Sequence, residues 1–232
     1  MKLSVVKLGL IEYQEALDLQ VKILKLNQQE KIEGVLLLLE HPPVITVGLN
    51  GKESNVLLNE NALKDIGVSV FKSNRGGDVT YHGPGQIVGY PILSLKNYGK
   101  DVKAYVRRLE DTTISMLKEE FQLVAERKPG FPGVWIGNNK ITAIGCAVKH
   151  WSTMHGFALN VNTNLDHFKW INPCGFTDKG VISLEKLLGK PQEIDTVMNE
   201  IIKHFSELFS LEPEIIDKKI FLRKVEGLSN GE

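Results

Sequence analysis

The chain's two thiols sit in unlike surroundings. Cys146 lies in ITAIGCAV among small and apolar neighbours, the setting of a cysteine that serves packing. Cys174 lies in INPCG, between Pro173 and Gly175, where nothing calls for a small buried hydrophobe. A loop cysteine flanked by proline and glycine is held rigidly and left accessible, as a nucleophile must be. On composition alone a nucleophile and a structural loop are both open. Only the thiolate attacks, and a thiol with the ordinary pKa of about 8.5 is a few per cent ionised at neutral pH. A cation beside it corrects that. Lys140, Lys149, Lys169, Lys179, His82 and His155 are the candidates, and the sequence does not rank them; Lys179 is nearest along the chain.

A second concentration of chemistry is RGGDVTYHGPGQIVGYP, residues 75–91, with five glycines. Glycine lets backbone N–H groups approach a phosphate closely, so a nucleotide loop is one reading. The spacing opposes it. Gly83, Gly85 and Gly89 give G-x-G-x-x-x-G, Pro84 removes one donor, and strand-like sequence follows where such a loop opens a helix. A hairpin turn with positive φ accounts for the glycines, yet not for Arg75, Asp78, Tyr81, His82 and Gln86 beside them. Polar side chains interleaved with glycine on adjoining strands suit a pocket floor under a substrate's amides or apolar chain. The six histidines show no H-x-x-x-H or paired-cysteine spacing, which leaves a metal site without support. No strand-to-helix G-x-S-x-G elbow supports a serine hydrolase either. A thiol nucleophile with a cationic helper is the chemistry the residues favour.

These groups must be carried by regular elements. Residues 3–8 read as a strand, and 12–28 as a helix with Tyr13, Ala16, Leu17, Gln20, Val21 and Leu24 on one face. Gly34 breaks the pattern before the buried-strand run VLLLLE, and a Pro-Pro turn leads to VITV. Asn59 caps a short helix that Gly67 ends, and a strand follows over 68–71. VTYH and QIVGYPI form two strands of a hairpin joined at Gly83-Pro84-Gly85. Asp101 caps a helix whose apolar stripe is Val102, Tyr105, Leu109, Thr113, Met116 and Leu117. After a KPGFPG link, GVWIGNNKITAIGCAV makes a hairpin turning at Gly137-Asn138-Asn139, with Lys140 opening its second strand. MHGFALNVN is a further strand, 166–171 a single helical turn, NPCGFTDKG a loop, 183–188 a short helix, and 194–209 a long helix with a wide apolar face. The charged tail of residues 223–232 is expected to fray.

Within 232 residues, 28 basic side chains balance 28 acidic ones, so no overall field advertises nucleic acid or an anionic membrane surface. The longest apolar run, residues 35–39, is far short of the roughly 20 residues of a membrane helix. No secretory signal is legible, so the cytoplasm and reduced cysteines are expected. With no repeat or polar linker, one α+β domain over residues 1–222 is expected, a short C-terminal helical appendage being the alternative.

Four segments together, LEHPPVITVG, RGGDVTYHGPGQIVGYPI, PGVWIGNNKITAIGCAV with HGFALNVN, and INPCG, run in order from Leu39 to Gly175. They resemble the lipoyl(octanoyl) transferases, which move an octanoyl group from acyl carrier protein to lipoyl domains. The Arg-Gly-Gly and HGPGQ elements are partly shared with lipoate-protein and biotin ligases; the PCG loop discriminates, since ATP-dependent ligases activate a free acid and need no thiol there. The resemblance implies an α+β catalytic domain of the biotin/lipoate-ligase kind, a mixed β-sheet flanked by α-helices. It assigns Cys174 as the nucleophile that carries the acyl group as a thioester, and Lys140 as its partner. It places the substrate along Arg75, Gly76, Gly77, Asp78, Val79, Thr80, Tyr81 and His82, along Ala143, Ile144 and Gly145, and along Gly156, Phe157 and Ala158. It implies no ATP and no cofactor beyond the phosphopantetheine of the octanoyl-acyl carrier protein. The implied recipients are lipoyl domains of 2-oxoacid dehydrogenases and the glycine cleavage H protein, served by a monomer. A ligase using ATP and a non-catalytic binder of lipoyl or carrier proteins are the competing readings.

Overall fold

The computed structural model describes residues 1–172 and 180–230, so Cys174, Lys179 and the rest of the expected PCG loop lie outside the described residues. The first half of the chain gives β1 (Lys2–Leu10), α1 (Tyr13–Gln28), β2 (Gly34–Glu40), β3 (Val44–Val47), α2 (Glu60–Asp65), β4 (Ser69–Lys72), β5 (Val79–His82), β6 (Gln86–Ile92) and α3 (Val102–Phe121). The second gives β7 (Glu126–Lys128), β8 (Phe131–Ile136), β9 (Asn139–Lys149), β10 (Ser152–Asn160), β11 (Gly180–Val181), α4 (Leu184–Leu188), α5 (Ile194–Phe209), β12 (Glu212–Ile215) and α6 (Lys218–Asn230). Short 3₁₀ turns lie at Glu53–Asn55, Leu95–Tyr98 and Leu165–Trp170.

Among the described residues nine strands form a large sheet in the order β12-β1-β2-β6-β10-β9-β8-β7, with β11 also on β9, and three form a small sheet, β4-β3-β5. The large sheet is mixed: β1 runs parallel to β12 and β2, while β2, β6, β10 and β9 pair antiparallel in turn. Helices cover both its faces, which explains the unbroken VLLLL run of β2. Leu36 and Leu38 pack with Leu109, Met116, Phe205 and Phe209 of α3 and α5. Val35, Leu37 and Leu39 pack with Ala16, Ile23, Phe221 and Val225 of α1 and α6 on the other side. The small sheet has its own core of Ile45, Val47, Leu63, Val68, Val79, Tyr81 and Ile171. No described helix is long and apolar enough to cross a membrane.

Local signals set many boundaries. Asn59, Asp101 and Ser183 each accept a hydrogen bond at a helix N-terminus, from the amides of Ala62, Ala104 and Lys186. The β8–β9 turn falls at Gly137-Asn138, as the hairpin reading expects. Four expectations are corrected. VTYH and QIVGYPI are not a hairpin: β5 pairs with β3 in the small sheet, and β6 pairs with β2 and β10 in the large one. Val21 of α1 is exposed, and Leu19 and Ile23 join the buried stripe instead. KPGFPG is no free link, since most of it falls within β7 and β8. Over its described residues, 223–230, the tail does not fray; they continue α6, with Val225 buried. GLSNG at 227–231 has the letters of a serine elbow, but its described part, residues 227–230, continues α6.

Candidate active site

Residues 74–78 link β4 to β5 of the small sheet and rest against β9 of the large one. The turn is tied to the small sheet's side by N–H bonds from Gly48, Leu49 and Asn50 to the carbonyls of Asp78, Arg75 and Gly77, and to β9 by the Gly76 N–H on the Cys146 carbonyl at 3.0 Å. Gly77 has φ +89°, and a Cβ on Gly145 would stand 2.8 Å from the Gly76 carbonyl oxygen, so the glycines serve backbone-on-backbone contact rather than anion binding. Arg75, 8% exposed, donates from Nε to Thr46 Oγ1 at 3.0 Å, from Nη2 to the Thr46 carbonyl at 2.6 Å, and from Nη1 to the Gly76 carbonyl at 3.1 Å. Burial draws its pKa down, while Tyr13, Tyr90 and Asp78 act the other way.

Both sheets line a cavity of about 780 Å³, within the usual range for small-molecule sites. Val88, Ile144, Phe157, Ala158 and Val106 give it an apolar wall, and Arg75, His82, Gln86, Tyr90 and His155 a polar one. Of the residues assigned to substrate by resemblance, Arg75, Gly76, Gly77, Asp78, Val79, Thr80, His82, Ala143, Ile144, Gly145, Gly156, Phe157 and Ala158 all line it. Tyr81 does not. Strand alternation turns it into the small-sheet core, where its hydroxyl meets His167 Nδ1 at 2.7 Å and its ring packs against Phe168 and Trp170.

The cationic candidates separate on geometry. Burial pushes His82 down to about 3 and His155 to about 4, so neither imidazole carries charge at neutral pH. Lys149 is exposed and outside the lining, and Lys169 lines the cavity paired with Asp166. Lys140 is half-buried in the wall, its Nζ 4.9 Å from the centroid of the Trp135 ring, a contact that favours an ammonium. Its backbone is paired with β11, Val181 opposite Lys140. Asn172 and Gly180, the described residues on either side of 173–179, both line the same cavity. Cys146 also reaches it, but burial pushes that thiol up to about 11.

Trp135 was legible in principle: it is the cross-strand partner of Lys140 across a turn that the sequence marks. Tyr13, Tyr90 and Asn160 also line the cavity, and no local signal singles them out. Away from the cavity, Glu119, Glu120 and His204 bring metal-ligating atoms together, but Glu120 Oε1 is engaged by Lys203 at 2.8 Å and His204 at 3.2 Å.

The sequence pattern of the lipoyl protein ligase A/B catalytic domain matches residues 12–206. A curated octanoyltransferase of Desulforamulus reducens is 59% identical over 219 residues, covering 94% of this chain and 96% of its own. One of Caldicellulosiruptor saccharolyticus is 53% identical over 220 residues, covering 94% of each. Among solved structures, the bi-partite lipoate protein ligase of Thermoplasma acidophilum, described with its E2 lipoyl domain, superposes with a TM-score of 0.76 at 17% identity, over 100% of this chain and 91% of that one. The mixed sheet flanked by helices is thus the fold of lipoate ligases, as the resemblance implied.

Proposed function

Because the chain belongs to the lipoyl protein ligase A/B catalytic-domain family and stands among its octanoyltransferases, we propose that it works through a thioester on Cys174 with Lys140 as the helper. The overall reaction is octanoyl transfer in protein lipoylation. In the first step the Cys174 thiolate attacks the thioester carbonyl of octanoyl-phosphopantetheine on acyl carrier protein; the carbon–sulfur bond to pantetheine breaks, and the leaving thiolate takes up a proton. In the second, the amine of a lipoyl-domain lysine attacks the acyl-enzyme and loses a proton, and Cys174 leaves. The sequence runs downhill without ATP because an amide is more stable than a thioester.

The observation that carries this reading is the meeting of three features at one cavity: the two residues flanking 173–179, the Lys140 side chain and an apolar wall. Lys140 as an ammonium stabilises the thiolate, and as a neutral amine it accepts a proton from thiol or incoming lysine. Eight carbons bring about seven CH₂ and CH₃ groups, whose burial supplies roughly 5–6 kcal/mol. The acyl donor is octanoyl-acyl carrier protein, the recipients are lipoyl domains, including those of 2-oxoacid dehydrogenases and the glycine cleavage H protein, and the working unit is a cytoplasmic monomer. The fold neighbour described with an E2 lipoyl domain supports lipoyl domains as the recipient class.

Intact mass after mixing with octanoyl-acyl carrier protein, in the absence of ATP, tests the scheme. A hydroxylamine-labile octanoyl adduct on Cys174 is expected, lost in Cys174→Ala and kept in Cys146→Ala. Product that forms only from free octanoate and ATP decides for a ligase, and binding without turnover decides for a non-catalytic binder.

A further inference from the structure

A chain of hydrogen bonds joins the cavity wall to the strand that follows residues 173–179. Asn160 Nδ2 donates to the Ile182 carbonyl at 3.1 Å. Gln86 Nε2 donates to Asn160 Oδ1 at 2.9 Å and to the Tyr81 carbonyl at 3.3 Å. Gln86 Oε1 lies 2.7 Å from His82 Nδ1. The Ile182 N–H in turn donates to the Lys140 carbonyl at 3.0 Å. Gln86 and Asn160 are directly paired across β6 and β10, and His82, Gln86 and Asn160 are all buried.

Two main-chain carbonyls, which can only accept, give this chain its direction. The Ile182 carbonyl demands the amide nitrogen of Asn160. That turns the Asn160 oxygen to Gln86, which must answer with nitrogen, as the Tyr81 carbonyl also requires. Gln86 then offers His82 only an oxygen, so the His82 proton sits on Nδ1. The ring is neutral at neutral pH: burial lowers its pKa to about 3, His41, Arg75 and His155 push the same way, and the Gln86 bond opposes them. A neutral ring protonated at Nδ1 leaves Nε2 as an acceptor.

We propose that Gln86 and Asn160 are positioning residues for acyl transfer: they hold His82 as its Nδ1–H tautomer, so that Nε2 is a hydrogen-bond acceptor in the cavity wall, and through Ile182, which follows β11, they seat residues 180–182 against Lys140. The role in transfer rests on the octanoyltransferase reading above; the tautomer does not. The octanoyl chain and its thioester carry no N–H or O–H. What the acceptor receives is therefore an N–H donor, either an amide of the pantetheine arm or the amine of the incoming lysine.

Nitrogen-15 NMR of the wild-type imidazoles reads the tautomer without reference to activity, and the Nδ1–H form, the minor one of free histidine, is expected for His82. Gln86→Met keeps the length of the side chain and removes all three of its hydrogen bonds. It is expected to move His82 to the Nε2–H form and to lower kcat/KM by about 10- to 100-fold, as loss of hydrogen bonds to one buried group does. Asn160→Leu, which breaks the link to Ile182, is expected to lower kcat and serves if Gln86→Met does not fold. Slowed acyl loading with normal transfer identifies the pantetheine amide, and the reverse identifies the lysine amine; either supports the assignment. A wild-type His82 in the Nε2–H form overturns it, as do unchanged kcat and KM in both variants. If the wild type shows no acylation of Cys174 at all, the thioester reading falls, and the tautomer measurement still decides the relay.

Discussion

Gly145 is the point where the turn carrying Arg75 rests on β9, and adding one methyl there tests that contact. A Cβ at Gly145 would stand 2.8 Å from the Gly76 carbonyl oxygen and 3.3 Å from Arg75 Cδ. The nearer atom is backbone, so it cannot rotate away. The turn must lift, against the Gly76 N–H bond to Cys146 and the Leu49 and Asn50 bonds on its other side. Over-packing of this kind costs about 1–3 kcal/mol, and the Gly76 bond adds about 0.5–1.5 kcal/mol. The intrinsic advantage of alanine over glycine in a strand returns about 0.5–1 kcal/mol. Gly145→Ala is therefore expected to lose about 0.5–4 kcal/mol of stability by these terms and to slow acyl loading, because Arg75 and Gly76 move with the turn. Gly76→Ala is the internal comparison: its Cβ would lie 3.2 Å from the Cys146 carbonyl oxygen, a clash relieved by a few tenths of an ångström, and it is expected to cost less. Urea unfolding and the rate of octanoyl loading by intact mass measure both. Gly76→Ala proving the more damaging, or Gly145→Ala with wild-type stability and loading, refutes the reasoning.

Cys146, with its thiol pushed up to about 11 by burial, is expected to resist iodoacetamide at pH 8 in the folded protein while Cys174 is alkylated; equal labelling by peptide mass contradicts this. His41 and His155 are held near pKa 4 by burial against 6.5 when exposed. The unfolded chain then binds more protons between those values, so stability present at neutral pH is lost as pH falls from 6.5 towards 4, by up to about 1.4 kcal/mol per pH unit for each imidazole. Urea unfolding at pH 7 and pH 5 shows the drop, His41→Gln should reduce it, and a flat profile denies it. Phe221→Ala in α6, at a fully buried side chain, is expected to cost about 3–5 kcal/mol; a change near zero in the thermal or urea midpoint corrected for slope would mean α6 contributes nothing to the core.

What the sequence made legible was local. Asn59, Asp101 and Ser183 are capping side chains followed at once by helix, and the Gly-Asn pair between β8 and β9 sets a two-residue turn, so these elements need no knowledge of the rest of the chain. Strand partners are another matter. VTYH and QIVGYPI sit three residues apart and look like a hairpin, yet β3 claims one and β2 with β10 the other, because pairing depends on which distant apolar faces must be covered. The side of Tyr81 follows from that choice and could not precede it. α6 entered only through the alternative of a C-terminal helical appendage, because its charges favour a frayed tail, although Phe221, Leu222, Val225 and Leu228 keep a helical spacing beneath them. Most of the cavity lining lay in the segments 75–91, 132–148 and 155–162 that carry the resemblance. Asn160 did not stand out, since its partners, Gln86 and Ile182, are adjacent to it only in space.

The pairing of β1 with β12 sets Lys2 opposite Glu212 and Val5 opposite Ile215. During synthesis β1 and β2 can form early, but the open edge of β1 waits until residues 212–215 have left the ribosome. Until then it offers a row of unpaired N–H and C=O groups beside the apolar surface that α6 later covers, the condition under which nascent chains pair with one another. Contacts so distant along the chain also slow folding.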